Sequence, residues 1–316
     1  MNELDPIVFR DQLRDSLARF ISTAAPVSPV RAPRLAQCIS DALNSERVSL
    51  VKGPFVESLP DFEKGKSLSD LVNEGVLSSK WSILSDTEDG DKIFHRQLHK
   101  HQAEALAREG ENYLVATGTG SGKTEAFLFP LINELLEQSD LSDPGVRAIL
   151  IYPLNALAND QMQRIARLLF KDLADPGIML GRYTGQVRSG TTRTEEERKI
   201  IETPSFQRDF GSVRKVPENW LLSRAEMLEK PPHILVTNYA MLEHILLLPR
   251  NRGLLQNAKL KWLVLDEIHT YAGAQAIEVA FLLRKLKTRL GLTRGQLKCV
   301  GTSASLDPDR KEIIRI

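Results

Sequence analysis

Cysteine is almost missing from this sequence: Cys38 and Cys299 are the only two in 316 residues. Two thiols cannot build a disulfide framework or a four-thiolate zinc site, and both are expected to be packed or inert. Neither sign of charge dominates, because 42 Lys and Arg face 41 Asp and Glu for a net charge of +1. Such a chain has no global field to attract a polyanion, so any binding of one must come from local arrangement. Long apolar runs are also lacking. The run Phe127-Leu128-Phe129-Pro130-Leu131-Ile132 is interrupted by proline and falls far short of the about 18 residues that a membrane helix needs. The acidic start Met1-Asn2-Glu3-Leu4-Asp5-Pro6 has no apolar stretch behind it and does not read as a signal peptide. A cytoplasmic location with no membrane partner is expected. Internal repeats and low-complexity tracts are absent as well.

What remains has the balance of a folded chain, 42% hydrophobic and 26% charged, close to the globular average. Its length suggests two domains, or one large α/β domain with an appendage. Residues 1–92 carry no chemical motif and read as an accessory region. Phe9, Leu13, Leu17 and Phe20 fall at helical spacing behind Asp5-Pro6. Pro26 to Pro33 reads as a linker, Leu35, Ile39 and Leu43 as a second short helix, and Ser67–Glu74 as a third.

From His95 onward short apolar runs alternate with helix-period segments. Strands are expected at Asn112–Thr117, Arg147–Tyr152, Ile178–Tyr183, His233–Thr237, Lys261–Asp266 and Leu297–Thr302, with helices such as Lys123–Glu137 and Ala274–Leu290 between them. This alternation predicts an α/β fold with a mostly parallel sheet flanked by helices. The stretch 186–232 is long for a connection and predicts an insertion with some helix of its own.

Two stretches carry chemistry. The first is Thr117-Gly118-Thr119-Gly120-Ser121-Gly122-Lys123-Thr124, placed between a strand and a helix. Glycines let backbone N–H groups wrap a phosphate at the helix N-terminus. Lys123 can reach the β- and γ-phosphates of ATP, and the Thr124 hydroxyl can ligate Mg²⁺. Thr117 stands where the strict phosphate-loop pattern has glycine, but Gly120 and Gly122, which set the phosphate-facing turn, are in place. The second is Trp262-Leu263-Val264-Leu265-Asp266-Glu267-Ile268-His269, a buried strand ending in two acids. Ligands bind α/β sheets at that end, so Asp266 is expected to hold Mg²⁺ through water and Glu267 to position the attacking water.

Asp266-Glu267-Ile268-His269 resembles motif II of the superfamily-two DEAD/DEAH-like helicases, and other motifs follow in the matching order. His101-Gln102-Ala103-Glu104-Ala105 resembles the adenine-reading glutamine motif, and Tyr152-Pro153-Leu154-Asn155-Ala156-Leu157-Ala158-Asn159-Asp160-Gln161 resembles motif Ia. Tyr183-Thr184-Gly185-Gln186 and Thr237-Asn238-Tyr239-Ala240-Met241-Leu242-Glu243 resemble the next nucleic-acid-contacting motifs. Gly301-Thr302-Ser303-Ala304-Ser305 resembles motif III. Within the superfamily the sequence looks most like the DUF1998-associated branch, which includes mitomycin-repair and phage-defence helicases. The resemblance covers about residues 94–306 and implies that residues 93–316 form the first RecA-like P-loop NTPase domain of an ATP-dependent motor.

It further implies that Gln102 reads the adenine, the other reading being a solvated helix glutamine. Thr119, Gly120, Ser121, Gly122, Lys123 and Thr124 cradle the phosphates. His269 joins the ATP site to motif III or serves as a helix-start residue, and Thr302, Ser303 and Ser305 couple the site to the nucleic acid or cap a turn. Single-stranded DNA is the expected partner, its phosphates held by Pro153, Asn155, Thr184, Gly185, Thr237 and Asn238, mostly neutral groups at strand ends. Arg182 and Arg188 flank that stretch and read as solvated. Arg284, Lys285, Lys287 and Arg289 read as a cationic helix end.

The superfamily draws its arginine finger from a second RecA-like domain. Only 11 residues, Leu306–Ile316, follow motif III in this sequence. The expectation is half of a larger helicase, completed elsewhere, with weak ATP binding and little unwinding by itself. The alternative is an ATP-binding regulatory or interaction module completed by a partner chain.

Overall fold

The computed structural model describes residues 5–24, 27–44, 50–53, 62–108, 110–118, 120–211 and 213–304. Two compact units divide it, residues 1–61 and 62–316. The first unit holds helices α1 (Pro6–Ala24) and α2 (Pro33–Asn44). Asp5 opens α1 by accepting the Ile7 N–H at 2.8 Å, as a helix-capping carboxylate does. Pro26, the start of the expected linker, lies outside the described residues.

The second unit begins with β1 (Lys64–Ser67), α3 (Leu68–Asn73), a 3-10 segment Ser79–Asp86, α4 (Glu88–His95), β2 (Gln97–His99) and α5 (Lys100–Ala107). β1 and β2 pair antiparallel as a small ribbon. The boundary expected at 92/93 therefore differs from the observed division at 61/62. The reason is packing: Leu68, Leu71, Trp81 and Leu84 are buried in the same apolar cluster as Phe94, Phe129 and Leu131. Trp81 meets Phe129 edge-on at 5.5 Å.

The main sheet follows, with β3 (Tyr113–Ala116), α6 (Lys123–Glu137), β4 (Ala148–Ile151), α7 (Asn155–Arg167) and β5 (Leu180–Arg182). After these come α8 (Arg193–Ile201), α9 (Pro204–Phe210), β6 (Trp220–Leu221), α10 (Arg224–Glu229), β7 (Ile234–Thr237) and α11 (Tyr239–Leu247). The last elements are β8 (Trp262–Leu265), α12 (Ala274–Arg289) and β9 (Lys298–Ser303). The seven strands run β3-β9-β8-β4-β7-β5-β6, and every pairing is parallel. β4, β7 and β8 are buried along their whole length, as strands covered on both faces should be. One apolar cluster gathers α6 and α7 on one face, and a second gathers α11 and α12 on the other.

All six expected strands are present. The expected insertion holds α8, α9 and α10, and also a seventh strand, β6, which pairs with β5 at the sheet's edge. Among the described residues no helix is long and apolar enough to cross a membrane. Cys38 is exposed and Cys299 is buried.

Candidate active site

Strand order decides which chemistry meets. β9 lies between β3, which feeds the phosphate loop, and β8, which ends in the acid pair. Residues Val115 and Thr302 are in register, as are Leu265 and Gly301. Motif III therefore leaves the sheet between Lys123 on one side and Asp266-Glu267 on the other.

The phosphate loop turns on Gly120 and Gly122, both left-handed with φ +78° and +75°. A Cβ at Gly122 would also lie 2.3 Å from Gln102 Nε2 and would push that amide off the Gly122 carbonyl. The Thr117 hydroxyl is hydrogen-bonded to that of Ser121, so the threonine in the unusual first position ties the loop across its base. Lys123 donates to the Thr117 carbonyl at 3.2 Å and stands 3.8 Å from Glu267 Oε1. Thr124 is buried beside it. Thr119 lies outside the described residues, as does Ser305 of motif III.

Asp266 and Glu267 are held differently. Asp266 is buried and accepts a hydrogen bond from the Thr302 hydroxyl. Burial raises its pKa, the Thr302 hydrogen bond opposes that, and the neighbouring Glu267 adds to it while Lys123 lowers it. Glu267 adopts a left-handed backbone, φ 49°. Its N–H donates to Thr302 Oγ1 at 3.1 Å, and its Oε2 accepts the Ala304 N–H at 3.2 Å. His269 Nδ1 is 3.0 Å from Ser303 Oγ and 3.3 Å from Glu267 Oε2. The structure thus brings Lys123, Asp266, Glu267, His269, Thr302 and Ser303 into one network.

Gln102 departs from a solvated helix glutamine. It is 1% exposed, its Oε1 accepts the His99 N–H at 2.8 Å, and its Nε2 donates to the Gly122 carbonyl at 2.9 Å. It clamps the phosphate loop from behind while capping α5. Phe94 is packed in the core.

The rim expected to face nucleic acid is built on the other half of the sheet, at the carboxyl ends of β4, β7 and β5. Asn238 caps α11 through the Met241 N–H at 2.8 Å and donates to Asn155 Oδ1 at 2.8 Å. Asn159 donates to Gln186 Oε1 at 2.9 Å. Pro153, Asn155 and Asn238 are partly exposed and Gly185 is exposed. Thr184 and Thr237 differ from the expectation of direct contact: both are fully buried. The Thr237 hydroxyl is spent on the Tyr183 carbonyl at 2.7 Å, so it positions the rim instead of lining it. Sequence reasoning missed Arg224 at this rim, which donates to the Thr184 carbonyl at 3.0 Å. It lies 40 residues from Thr184 in an insertion without a motif, and nothing in the spacing marks it.

A parallel sheet with a phosphate loop and an acid pair meeting at its carboxyl edge defines a P-loop nucleotide-binding domain. The sequence profile of the DEAD/DEAH box helicase family matches residues 99–214 and 213–313. The chain belongs to the DEAD/DEAH box helicase family. It is 31% identical to the Druantia protein DruE of Escherichia coli (strain UMEA 4076-1), over 84% of the chain and 19% of that protein. It is also 31% identical to the ATP-dependent helicase Lhr-Core of Methanothermobacter thermautotrophicus, over 63% of the chain and 20% of that protein.

The fold is shared with the DUF1998 helicase MrfA solved with DNA and AMPPNP, at a TM-score of 0.51 and 23% identity, covering 80% of this chain and 29% of that one. It is shared too with Mss116p solved with ssRNA and AMP-PNP, at a TM-score of 0.53 and 18% identity, covering 80% of this chain and 43% of that one. Motifs, profile and relatives agree on a superfamily-two helicase motor domain. The chain spans about a fifth of the length of these two curated relatives.

Proposed function

We propose that the chain is the ATP-dependent motor domain of a helicase or translocase that binds Mg²⁺-ATP and single-stranded DNA. The observation that carries this reading is the meeting of Lys123, Asp266, Glu267 and Thr302 at one edge of the sheet. Lys123, poised on the Thr117 carbonyl, would move to the β- and γ-phosphates within the backbone cradle of Gly120 and Gly122. The Thr124 hydroxyl and the Asp266 carboxylate form an all-oxygen donor set of the kind Mg²⁺ takes. When bound there, Mg²⁺ would neutralise charge on the phosphate oxygens.

Glu267 is suited to orient the hydrolytic water, because its carboxylate is fixed by Ala304 N–H and His269. Those same contacts tie it to motif III. Loss of the γ-phosphate would therefore be felt at Thr302 and Ser303, whose strand lies between the phosphate loop and the acid pair. Nucleic-acid phosphates would lie on the amide rim of Asn155, Asn238 and Gly185, which explains how a chain of net charge +1 could hold a polyanion. The likeness to DruE and to the repair and defence branch supports a role in phage defence or DNA repair. A second RecA-like domain, in a longer chain or a partner chain, would supply the arginine finger, worth about 10³–10⁵ in rate.

The test is single-turnover phosphate release with and without a single-stranded oligonucleotide. The parent chain is expected to hydrolyse ATP slowly and faster with DNA, and Glu267→Gln to lose about 10²-fold or more. Equal rates for the parent and Glu267→Gln would refute the catalytic assignment. Hydrolysis indifferent to DNA would favour a regulatory ATP-binding module.

A further inference from the structure

Two arginines gather about Tyr183, which precedes Thr184 and Gly185 of the rim, and both lie outside the stretches that resemble helicase motifs. Arg224 opens α10 in the insertion. Its guanidinium carbon lies 4.9 Å from the centroid of the Tyr183 ring, and it donates to the Thr184 carbonyl at 3.0 Å and to Ser189 Oγ at 3.2 Å. Arg250 lies in the segment after α11, next to Asn251, whose side-chain oxygen accepts the Tyr183 hydroxyl at 2.8 Å. Arg250 is exposed. The charges of both arginines bear on Tyr183.

Arg147, Arg164, Arg167 and Arg193 each have a carboxylate partner. Neither Arg224 nor Arg250 forms an ion pair among the described residues. Arg224 reaches the Thr184 carbonyl next to Gly185, and Arg250 adjoins the Asn251 that holds the Tyr183 hydroxyl.

We infer that Arg224 and Arg250 are phosphate-binding residues that continue the single-strand path from the rim of Asn155, Asn238 and Gly185 onto the start of α10 and the segment after α11. The inference rests on the nucleic-acid reading above and adds a site to it. A guanidinium presents a planar fork of donors that suits a phosphate. Arg224 is oriented in advance by the Tyr183 ring and by two hydrogen bonds, which leave other N–H groups of its fork unused. Continuity with the amide rim selects a nucleic-acid strand over a separate acidic peptide. The two arginines thereby add positive charge to a rim whose motifs supply mainly neutral groups.

Counterion release gives the test. For single strands the slope of log K against log salt is about −0.7 per phosphate neutralised. Binding of the 316-residue chain to a fluorescein-labelled oligothymidylate is followed by anisotropy over a series of salt concentrations. Arg250→Ala is expected to make the slope shallower by about 0.7, and Arg224→Ala with Arg250→Ala by about 1.4. Arg294→Ala should keep the parent slope, since this exposed residue lies in the turn before β9, at the opposite end of the sheet.

Arg224 has structural contacts, so Arg224→Lys, which keeps the charge, should keep the slope. If the double variant unfolds, the exposed Arg250 decides the matter by itself. Binding with the parent slope in Arg250→Ala and in the double variant would overturn this inference and leave the nucleic-acid reading standing. No binding by the parent chain at low salt would overturn both.

Discussion

Thr302 illustrates how one hydroxyl sets the state of two acids. It donates to Asp266 and accepts from the Glu267 N–H, and its hydrogen bond opposes the rise that burial imposes on the Asp266 pKa. Thr302→Val removes the donor and leaves the Glu267 N–H without its partner, a loss of about 1–3 kcal/mol in stability. It also lets the Asp266 pKa climb further. A protonated Asp266 cannot hold Mg²⁺, so the acid limb of Mg²⁺-nucleotide binding should move to higher pH, while Thr302→Ser should keep the parent profile. A fluorescence titration across pH measures this.

His233, at the opposite end of the sheet, is fully buried. It accepts the Met179 N–H at Nδ1 and meets the Asp143 carbonyl at Nε2, at 3.1 and 3.0 Å. Burial pushes its pKa down to about 4 from 6.5. Between those values the unfolded chain takes up a proton that the folded chain refuses. Its contribution is therefore fully present above pH 6.5 and lost as the pH falls to about 4, amounting to about 3 kcal/mol. Urea midpoints should fall across that window, and His233→Gln, though less stable at neutral pH, should show a flatter profile. The pattern Gly-Ser-Gly-Lys-Thr announced its chemistry because only a few residue types wrap a phosphate. His233 and Arg224 stayed silent because burial and stacking come from neighbours distant in sequence.

Among the elements, the insertion shows where sequence patterning runs out. Six strands were legible because each carries a short apolar stretch between helical segments, and β4, β7 and β8 are buried along their whole length. β6 has two residues, Trp220 and Leu221, too few for any period. What fixes it is an aromatic group: Trp220 stacks on Phe170 with centroids 6.0 Å apart, and Phe206 and Phe210 adjoin it at 6.3 and 6.2 Å. Arg193 locks the same corner, donating to the carbonyls of Trp220, Val216 and Pro217. Trp220→Ala should cost about 3–5 kcal/mol, read as a fall in the unfolding midpoint. If the insertion frays locally, hydrogen exchange should quicken in α8–α10 before β4 and β8.

In the segment 62–92 the helix expected at Ser67–Glu74 is present as α3. Leu68, Trp81 and Leu84 pack in one cluster with α6, because helical and 3-10 turns too short to show a period still present one face.

For the molecule as a whole, strand order separates two kinds of chemistry along one edge. β3, β9 and β8 gather the groups suited to nucleotide chemistry, and β4, β7 and β5 gather the rim suited to a strand. The halves touch where Asp266 N–H donates to the Ile151 carbonyl at 3.0 Å across the β4–β8 pairing. A change at the acids is thus one strand away from motif Ia.

Everything proposed for this domain begins at the nucleotide site, and equilibrium binding of a fluorescent ATP analogue with Mg²⁺ tests that site most directly. The parent chain should bind, Lys123→Ala should lose at least about tenfold in affinity, equivalent to about 1.4 kcal/mol, and Glu267→Gln should bind like the parent. Binding by Lys123→Ala as tight as that of the parent, with the fold intact, would contradict the nucleotide-site assignment.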